Sequence, residues 1–201
     1  MRATEFFPQL EAPKHFNFKN IEGGIYLILW GLLKKVVIAD NLSLIVNSFF
    51  SQPDAGFFTA WYAIYAFAFQ IYCDFSGYCD IALGCAMILN FKIPLNFRQP
   101  YLSSNITSFW HNWHITLSSW FRDYLYIPLG GSRVDLWGFY RNLFIVMVVA
   151  GLWHGANYTF VVWGAYHGVL LISHKIYSHF FRVEIPRLVG IFLTFHLVCL
   201  G

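Results

Sequence analysis

Long apolar runs broken by short polar clusters set the pattern of this chain. Residues 57–73, rich in Phe, Ala, Tyr and Trp, read as a membrane-spanning helix. Asp74-Phe-Ser-Gly-Tyr-Cys-Asp80 interrupts it, and 81–91 resumes the apolar pattern. Ser76 and Gly77 suit a break in the helix there, with Asp74 and Asp80 as capping groups. Residues 24–46 also read as helix, with Lys34, Lys35 and Asp40 inside the apolar run, tolerable near an interface or where the lysines snorkel. Residues 1–22 read as a loop or interfacial segment, and Asn47–Gly56 and Lys92–Pro100 as loops. Residues 140–152 and 157–173 exceed one span together. They predict two segments with a bend near Gly151 and Gly155, where small residues permit close packing. His174, Lys175, His179, Arg182 and Arg187 form a basic boundary, and 188–201 begins another span.

Residues 105–127 are too polar for a simple span. His111, His114, Arg122 and Asp123 share this stretch with Trp110, Trp113 and Trp120. Asn105 or Thr107 supplies a cap. Trp110, Trp113, His114, Leu117, Trp120 and Phe121 recur at spacings of three and four, which predicts one broad helical face. An interfacial or re-entrant helix accounts for both aromatics and charges, ended by Pro128, Gly130 and Gly131. The expected fold class is therefore all-α: a polytopic transmembrane helix bundle with a re-entrant or interfacial helical segment.

Composition sharpens the picture. Hydrophobic residues make up 58% of the 201 residues and charged ones 11%, against about 25% charged in a soluble domain. The net charge of +3 is scattered, so no basic stripe exists for a nucleic acid. Basic residues in 92–141 place that region on the cytoplasmic side by the positive-inside tendency. Cys73, Cys79, Cys85 and Cys199 all lie in apolar segments, without metal or disulfide spacing, and read as buried free thiols. No secretory signal pattern follows Met1, and Gly201 falls inside an apolar run. The expectation is one membrane domain over 1–201, a fragment lacking N- and C-terminal helices.

Two histidines carry the candidate chemistry. His114 and His154 each follow a tryptophan directly, in or beside an apolar stretch. Imidazole exchanges protons near neutral pH, and ionisable groups at membrane depth point to function. His111, His167 and His174 read as packing or capping residues. Arg122–Asp123 reads as a local ion pair, with donor phosphate binding by Arg122 as its alternative.

Three stretches stand out as extended motifs: Phe69-Gln-Ile-Tyr-Cys-Asp-Phe-Ser-Gly-Tyr-Cys-Asp80; Asn96-Phe-Arg-Gln-Pro-Tyr-Leu102 running into Trp113-His114 and Trp120–Gly131; and Gly151-Leu-Trp-His-Gly-Ala-Asn157 with Trp163-Gly and His167-Gly. They resemble the membrane-bound O-acyltransferase family, and within it the bacterial alginate O-acetyltransferase branch, which is related to the D-alanine transferase of teichoic acids. His111-Asn112 departs from the family, which often carries two arginines there, and family members are considerably longer. The resemblance implies His154 as the essential histidine and His114 as its partner. Trp113, Trp153, Arg122 and Asn157 complete the candidate set as substrate-binding residues, with no metal.

The implied activity moves an acyl group, acetyl foremost, from a cytoplasmic thioester donor to a hydroxyl. The donor is acetyl-CoA or an acyl carrier protein, and no cofactor stays bound. The hydroxyl belongs to an exported cell-surface polysaccharide, as in alginate biosynthesis, or to an intermediary carrier protein. Membrane lipid and a periplasmic or extracellular acyltransferase are the implied partners, and the inner membrane the location, as a multi-pass protein. Two other classes compete. In a transporter, Asp74 and Asp80 would line an ion path. A His-ligated membrane metalloenzyme would draw on His111 and His114 or on His174 and His179, although no clustered His box occurs.

Overall fold

The computed structural model describes residues 2–14, 17–51, 56–181 and 185–201. Arg182 of the basic boundary and residues 52–55 of the expected loop lie outside them. The described residues hold helices and no strand. Contacts divide the chain into two compact units, Met1–Asn96 and Phe97–Gly201.

The first unit is built on a helix pair. Helix α1 (Ala3–Glu11) buries none of its residues, so the stretch expected to be a loop or interfacial segment carries an exposed helix. Helix α2 (Phe18–Leu32) starts where the Asn17 side chain accepts from the Lys19 N–H at 3.0 Å. It runs through a π-helical stretch, Leu33–Ala39, into α3 (Asp40–Phe50). Helix α4 (Phe57–Ile88) has 32 residues, roughly 48 Å at ~1.5 Å per residue.

The expected break at 74–80 does not occur: α4 is continuous through it. Gly77 serves close packing. A Cβ there would meet the Gly31 carbonyl oxygen at 2.7 Å. Gly24 and Gly84 repeat the arrangement one heptad further along the antiparallel pair. The two acids are not caps either. Asp80 pairs with Lys34 at 2.6 Å and Asp74 with Lys35 at 2.6 Å, while Asp40 also accepts from Lys35 at 2.8 Å. The lysines therefore answer carboxylates. Cys73 and Cys79 are buried free thiols as expected, whereas Cys85 is exposed and Cys199 half-buried.

The second unit is more broken. A 3₁₀ turn at Pro100–Leu102 precedes α5 (Ile106–Asn112) and α6 (Ile115–Phe121), with a π-helical turn at Arg122–Tyr126. The single helix expected over 105–127 is thus two short ones, and its proposed face is split. Asn105 does cap α5, accepting from the Ser108 N–H at 2.8 Å. Helix α7 (Leu136–His154) and α8 (Tyr158–Phe180) pack as a pair, and α9 (Arg187–Cys199) follows. The bend falls at Gly155. Gly151 lies inside α7, where a Cβ would collide with the Phe160 carbonyl. On α8, Gly164 comes against the Met147 carbonyl and Gly168 against Phe144. Asn142, fully buried, donates to the carbonyls of Leu129 and Gly131 at 3.0 and 3.2 Å and so pins the turn after α6.

Helices α4 and α7 are long and apolar enough to cross a bilayer, by length and composition.

Candidate active site

His114 owes its position to a broken helix. Its φ of 42° and ψ of 57° are left-handed, a conformation that costs a non-glycine residue roughly 1–2 kcal/mol. Hydrogen bonds on both sides hold it. The Trp113 N–H donates to the Phe109 carbonyl at 2.9 Å, closing α5. The Ser118 N–H donates to the His114 carbonyl at 3.0 Å, opening α6. The Ser118 hydroxyl donates back to the carbonyls of Trp113 and Trp110 at 3.3 and 3.4 Å. The Arg98 N–H reaches the Asn112 carbonyl at 3.1 Å. Strain kept at one residue by surrounding bonds is a common mark of a functional position. His114 lies outside both bilayer-length helices. Burial, and secondarily the charge of His154, pull its pKa from 6.5 to about 4. Its neutral form, with one donor and one acceptor nitrogen, prevails at neutral pH.

His154 is the last residue of α7. It is exposed, and aromatic rings frame its imidazole. Trp153 and Trp163 lie edge-on to it at 5.1 Å each, and Phe160 stacks at 6.0 Å between ring centroids. Gly155 makes room for this frame, since a Cβ there would meet the Phe160 ring at 2.7 Å. The chain restarts as α8 at Asn157, whose side chain accepts from the Thr159 N–H at 3.1 Å.

Both histidines line one cavity of about 130 Å³, open at one side. Its walls come from α5, α6, α7 and α8: Trp110, His111, Trp113, Leu117, Ser118, Phe121, Val146, Met147, Ala150 and Trp163 complete the lining. The volume suits a small group. An apolar cavity of about 150 Å³ holds one benzene.

The sequence-derived candidates fall in different places. His114, His154 and Trp113 line the cavity. Trp153 is 56% exposed and lies between the two histidines, 6.1 Å from the His114 ring. Arg122 donates to Asp123 at 2.8 Å, the ion pair expected from sequence, and Asn157 caps α8. Neither is a cavity wall. His174 shares a 2.9 Å hydrogen bond with Thr107, in keeping with its packing role.

Sequence reasoning placed Trp110 on an aromatic helical face, Trp163 and His167 in the family motifs, and His167 in a packing role, but did not bring the three together. His167 is 2% exposed, with Trp163 one helical turn before it and Trp110 against it. The usable signal was the i, i+4 spacing of Trp163 and His167, which puts both on one face of α8. Among the described residues no three His, Cys, Asp or Glu side chains gather as a metal-ligand set.

Comparison with known proteins bears on what this arrangement serves. Residues 3–188 match the sequence profile of the membrane-bound O-acyltransferase family. The chain belongs to that family. It is 42% identical to the peptidoglycan O-acetyltransferase of Helicobacter pylori, over 98% of this chain and 39% of that protein. It is 49% identical to the probable alginate O-acetylase AlgI of Azotobacter vinelandii, over 87% of this chain and 35% of that protein. The teichoic acid D-alanyltransferase of Bacillus subtilis is 30% identical, over 89% of this chain and 49% of that protein. The chain therefore spans about two fifths of the length of these relatives. Membership of the membrane-bound O-acyltransferase family favours acyl transfer over the transporter and metalloenzyme readings. In the first unit, Asp74 and Asp80 are already engaged by lysines.

Proposed function

We propose that this chain forms the catalytic centre of a membrane O-acyltransferase that moves a short acyl group from a cytoplasmic thioester to a hydroxyl. The observation that carries the reading is the convergence of His114 and His154 on one small, aromatic-walled cavity. His154 is the general base. It takes the proton of the acceptor hydroxyl as that oxygen attacks the thioester carbonyl carbon. The C–O bond forms, the C–S bond breaks, and the thiolate leaves to be protonated, so ester and free thiol are the products. Such a base contributes roughly 10²–10⁴-fold. His114, kept neutral by burial, orients the reacting groups through its one N–H. Trp113 and Trp153 wall the substrate, and Arg122 and Asn157 set the backbone on either side of the two histidines.

Acetyl fits the cavity and agrees with the relatives named as O-acetyltransferases. Acetyl-CoA or an acyl carrier protein is the proposed donor. The acceptor is the hydroxyl of an exported cell-surface polysaccharide, or of a carrier protein that passes the group to a periplasmic acyltransferase. Both units then belong to one multi-pass domain of the inner membrane. The test is acetate released by mild base from the surface polysaccharide of cells carrying the full reading frame, compared with its deletion. Equal acetate in the two strains refutes the reading.

A further inference from the structure

Behind the break at His114 lies a clasp. Asn112, the last residue of α5, is held at two atoms by the turn that precedes the helix. Its carbonyl accepts from the Arg98 N–H at 3.1 Å, and its side-chain amide donates to the Ser103 hydroxyl at 3.2 Å. The turn itself is fixed. Gln99 is left-handed, at φ 47° and ψ 56°, Pro100 is fully buried and Ser103 is 5% exposed. The N–H groups of Leu102 and Ser103 close the turn on the carbonyls of Gln99 and Pro100, at 3.0 and 3.1 Å. Aromatic rings carry the clasp on to the next residue. Trp113 lies edge-on to Phe97 at 5.1 Å, 6.0 Å from Tyr101, and stacked on Phe109 at 5.6 Å. Neither Asn112 nor Ser103 is a cavity wall, whereas Trp113 and His114 both are.

We propose that Asn112, through its side-chain bond to Ser103, is a positioning residue that sets where the His114 imidazole stands in the cavity. The inference rests on the acyl-transfer reading above and extends it to two residues which that reading does not use. Asn112 does not line the cavity, so it acts on the reaction through His114. The left-handed conformation of His114 persists only while its surroundings over-determine it. The bonds given by the N–H groups of Arg98, Trp113 and Ser118 join backbone atoms, and other side chains at those positions would leave them in place. The Asn112 amide is different, because it depends on the residue type. Asparagine favours caps and turns, since its side chain competes for nearby backbone partners. Here the amide is taken up by Ser103, which fixes the direction in which the chain leaves α5. Two residues later the backbone turns left-handed, and the direction of the His114 ring follows from that exit. A reacting group displaced by about 1 Å can cost on the order of 10²-fold in rate.

Asn112→Ala removes the amide and leaves the backbone bonds. In membranes containing the full-length protein, assayed with labelled acetyl-CoA, kcat per folded molecule should fall about tenfold, within what one neutral hydrogen bond can hold. KM for acetyl-CoA should stay near wild type, because no group that touches the donor is lost. Ser103→Ala removes the acceptor and should match Asn112→Ala. The double variant should be no worse than either, since both remove the same bond. Asn112→Asp keeps an acceptor to which the Ser103 hydroxyl can donate, and should hold most of the activity. Diethyl pyrocarbonate, which modifies accessible imidazoles, gives a reading independent of turnover. His114 should be modified several-fold faster in Asn112→Ala than in the wild type, and His154 at an unchanged rate. An Asn112→Ala protein with wild-type kcat overturns the proposal. So does one whose kcat falls while His114 is modified at the wild-type rate, or one that only loses thermal stability. Equal losses in Asn112→Ala and Asn112→Asp also overturn it. His154→Ala, run beside them, separates the two levels. If it is inactive while Asn112→Ala is normal, this inference alone fails. If it is active, the acyl-transfer reading itself fails.

Discussion

The two units treat polar groups in an apolar setting in opposite ways. In the first, charges fall on continuous helices and are answered by one another: Lys34 by Asp80, Lys35 by Asp74 and Asp40. In the second, helices break, and the histidines at two of the breaks, His114 and His154, line one cavity. A charged residue in an apolar helix is a functional candidate by default. Paired charges tie the π-helical stretch Leu33–Ala39 to α4. Two imidazoles of the second unit line a cavity and are framed by tryptophan.

The sharpest way to break this contrast is to remove one member from each side. His154→Ala and His154→Gln should each lower acetylation by at least ~100-fold, since neither can accept the hydroxyl proton. Abundance should stay near wild type. Base-released acetate normalised to protein in the membrane measures both. Wild-type acetylation by His154→Gln would return His154 to a packing role.

Lys34→Ala should do the reverse. It strands Asp80, whose side chain is only 19% exposed. Breaking a buried pair costs about 3–5 kcal/mol, and partial exposure puts this case at about 3 kcal/mol or less. Lower yield and an earlier thermal transition in detergent should result, with turnover per surviving molecule unchanged. Exchanging the charges, Lys34→Asp with Asp80→Lys, should recover much of the loss. A Lys34→Ala protein of normal stability but no turnover would move the ion pair into the chemistry.

The same contrast explains what could be read from the sequence. Signals that act within a few residues were legible: Asn105 as a cap, Gly155 as a bend, Arg122 beside Asp123. The 74–80 segment misled because Asp, Ser and Gly are local helix breakers. The groups that override them, Lys34, Lys35 and Gly31, lie some forty residues away. The break at His114 was illegible for a different reason. Neither Gly nor Pro marks it, and the left-handed turn is imposed by hydrogen bonds to Phe109, Ser118 and Arg98. His154 and His114 stood out by their Trp-His setting. His167 did not, because its place behind Trp110 and Trp163 depends on how α8 packs.

Gly164→Ala tests whether helix packing and chemistry are separable in the second unit. A Cβ at Gly164 collides with the Met147 carbonyl, and overpacking of this kind costs typically ~1–3 kcal/mol. Met147 and Trp163 are both cavity walls, so stability and turnover should fall together. Gly31→Ala makes a similar collision with the Gly77 carbonyl. It should lower stability alone. Thermal unfolding and turnover per molecule distinguish the two, and equal behaviour of both variants would dissolve the division between the units.

The smallest expected effect is a slope in stability with pH. His114 has its folded pKa lowered to about 4 from 6.5, first by burial and then by the His154 charge. A histidine with a depressed folded pKa favours the folded state most above its unfolded value. As pH falls from 6.5 towards 4, the unfolded chain takes up a proton that the folded chain refuses, so stability declines across that window. In the first unit Lys34 and Lys35 meet carboxylates, and among its described residues no histidine has an equivalent place. The decline should therefore belong to the second unit. Thermal unfolding in detergent, followed from pH 7.5 to 4.5, should show a lower transition temperature at acid pH. His114→Asn should make that dependence shallower, because asparagine tolerates the left-handed turn and does not titrate. An unchanged slope in His114→Asn would mean that His114 is solvated in the native state. It would then be charged at mildly acid pH, and a neutral partner for His154 would have to be sought among the other cavity walls.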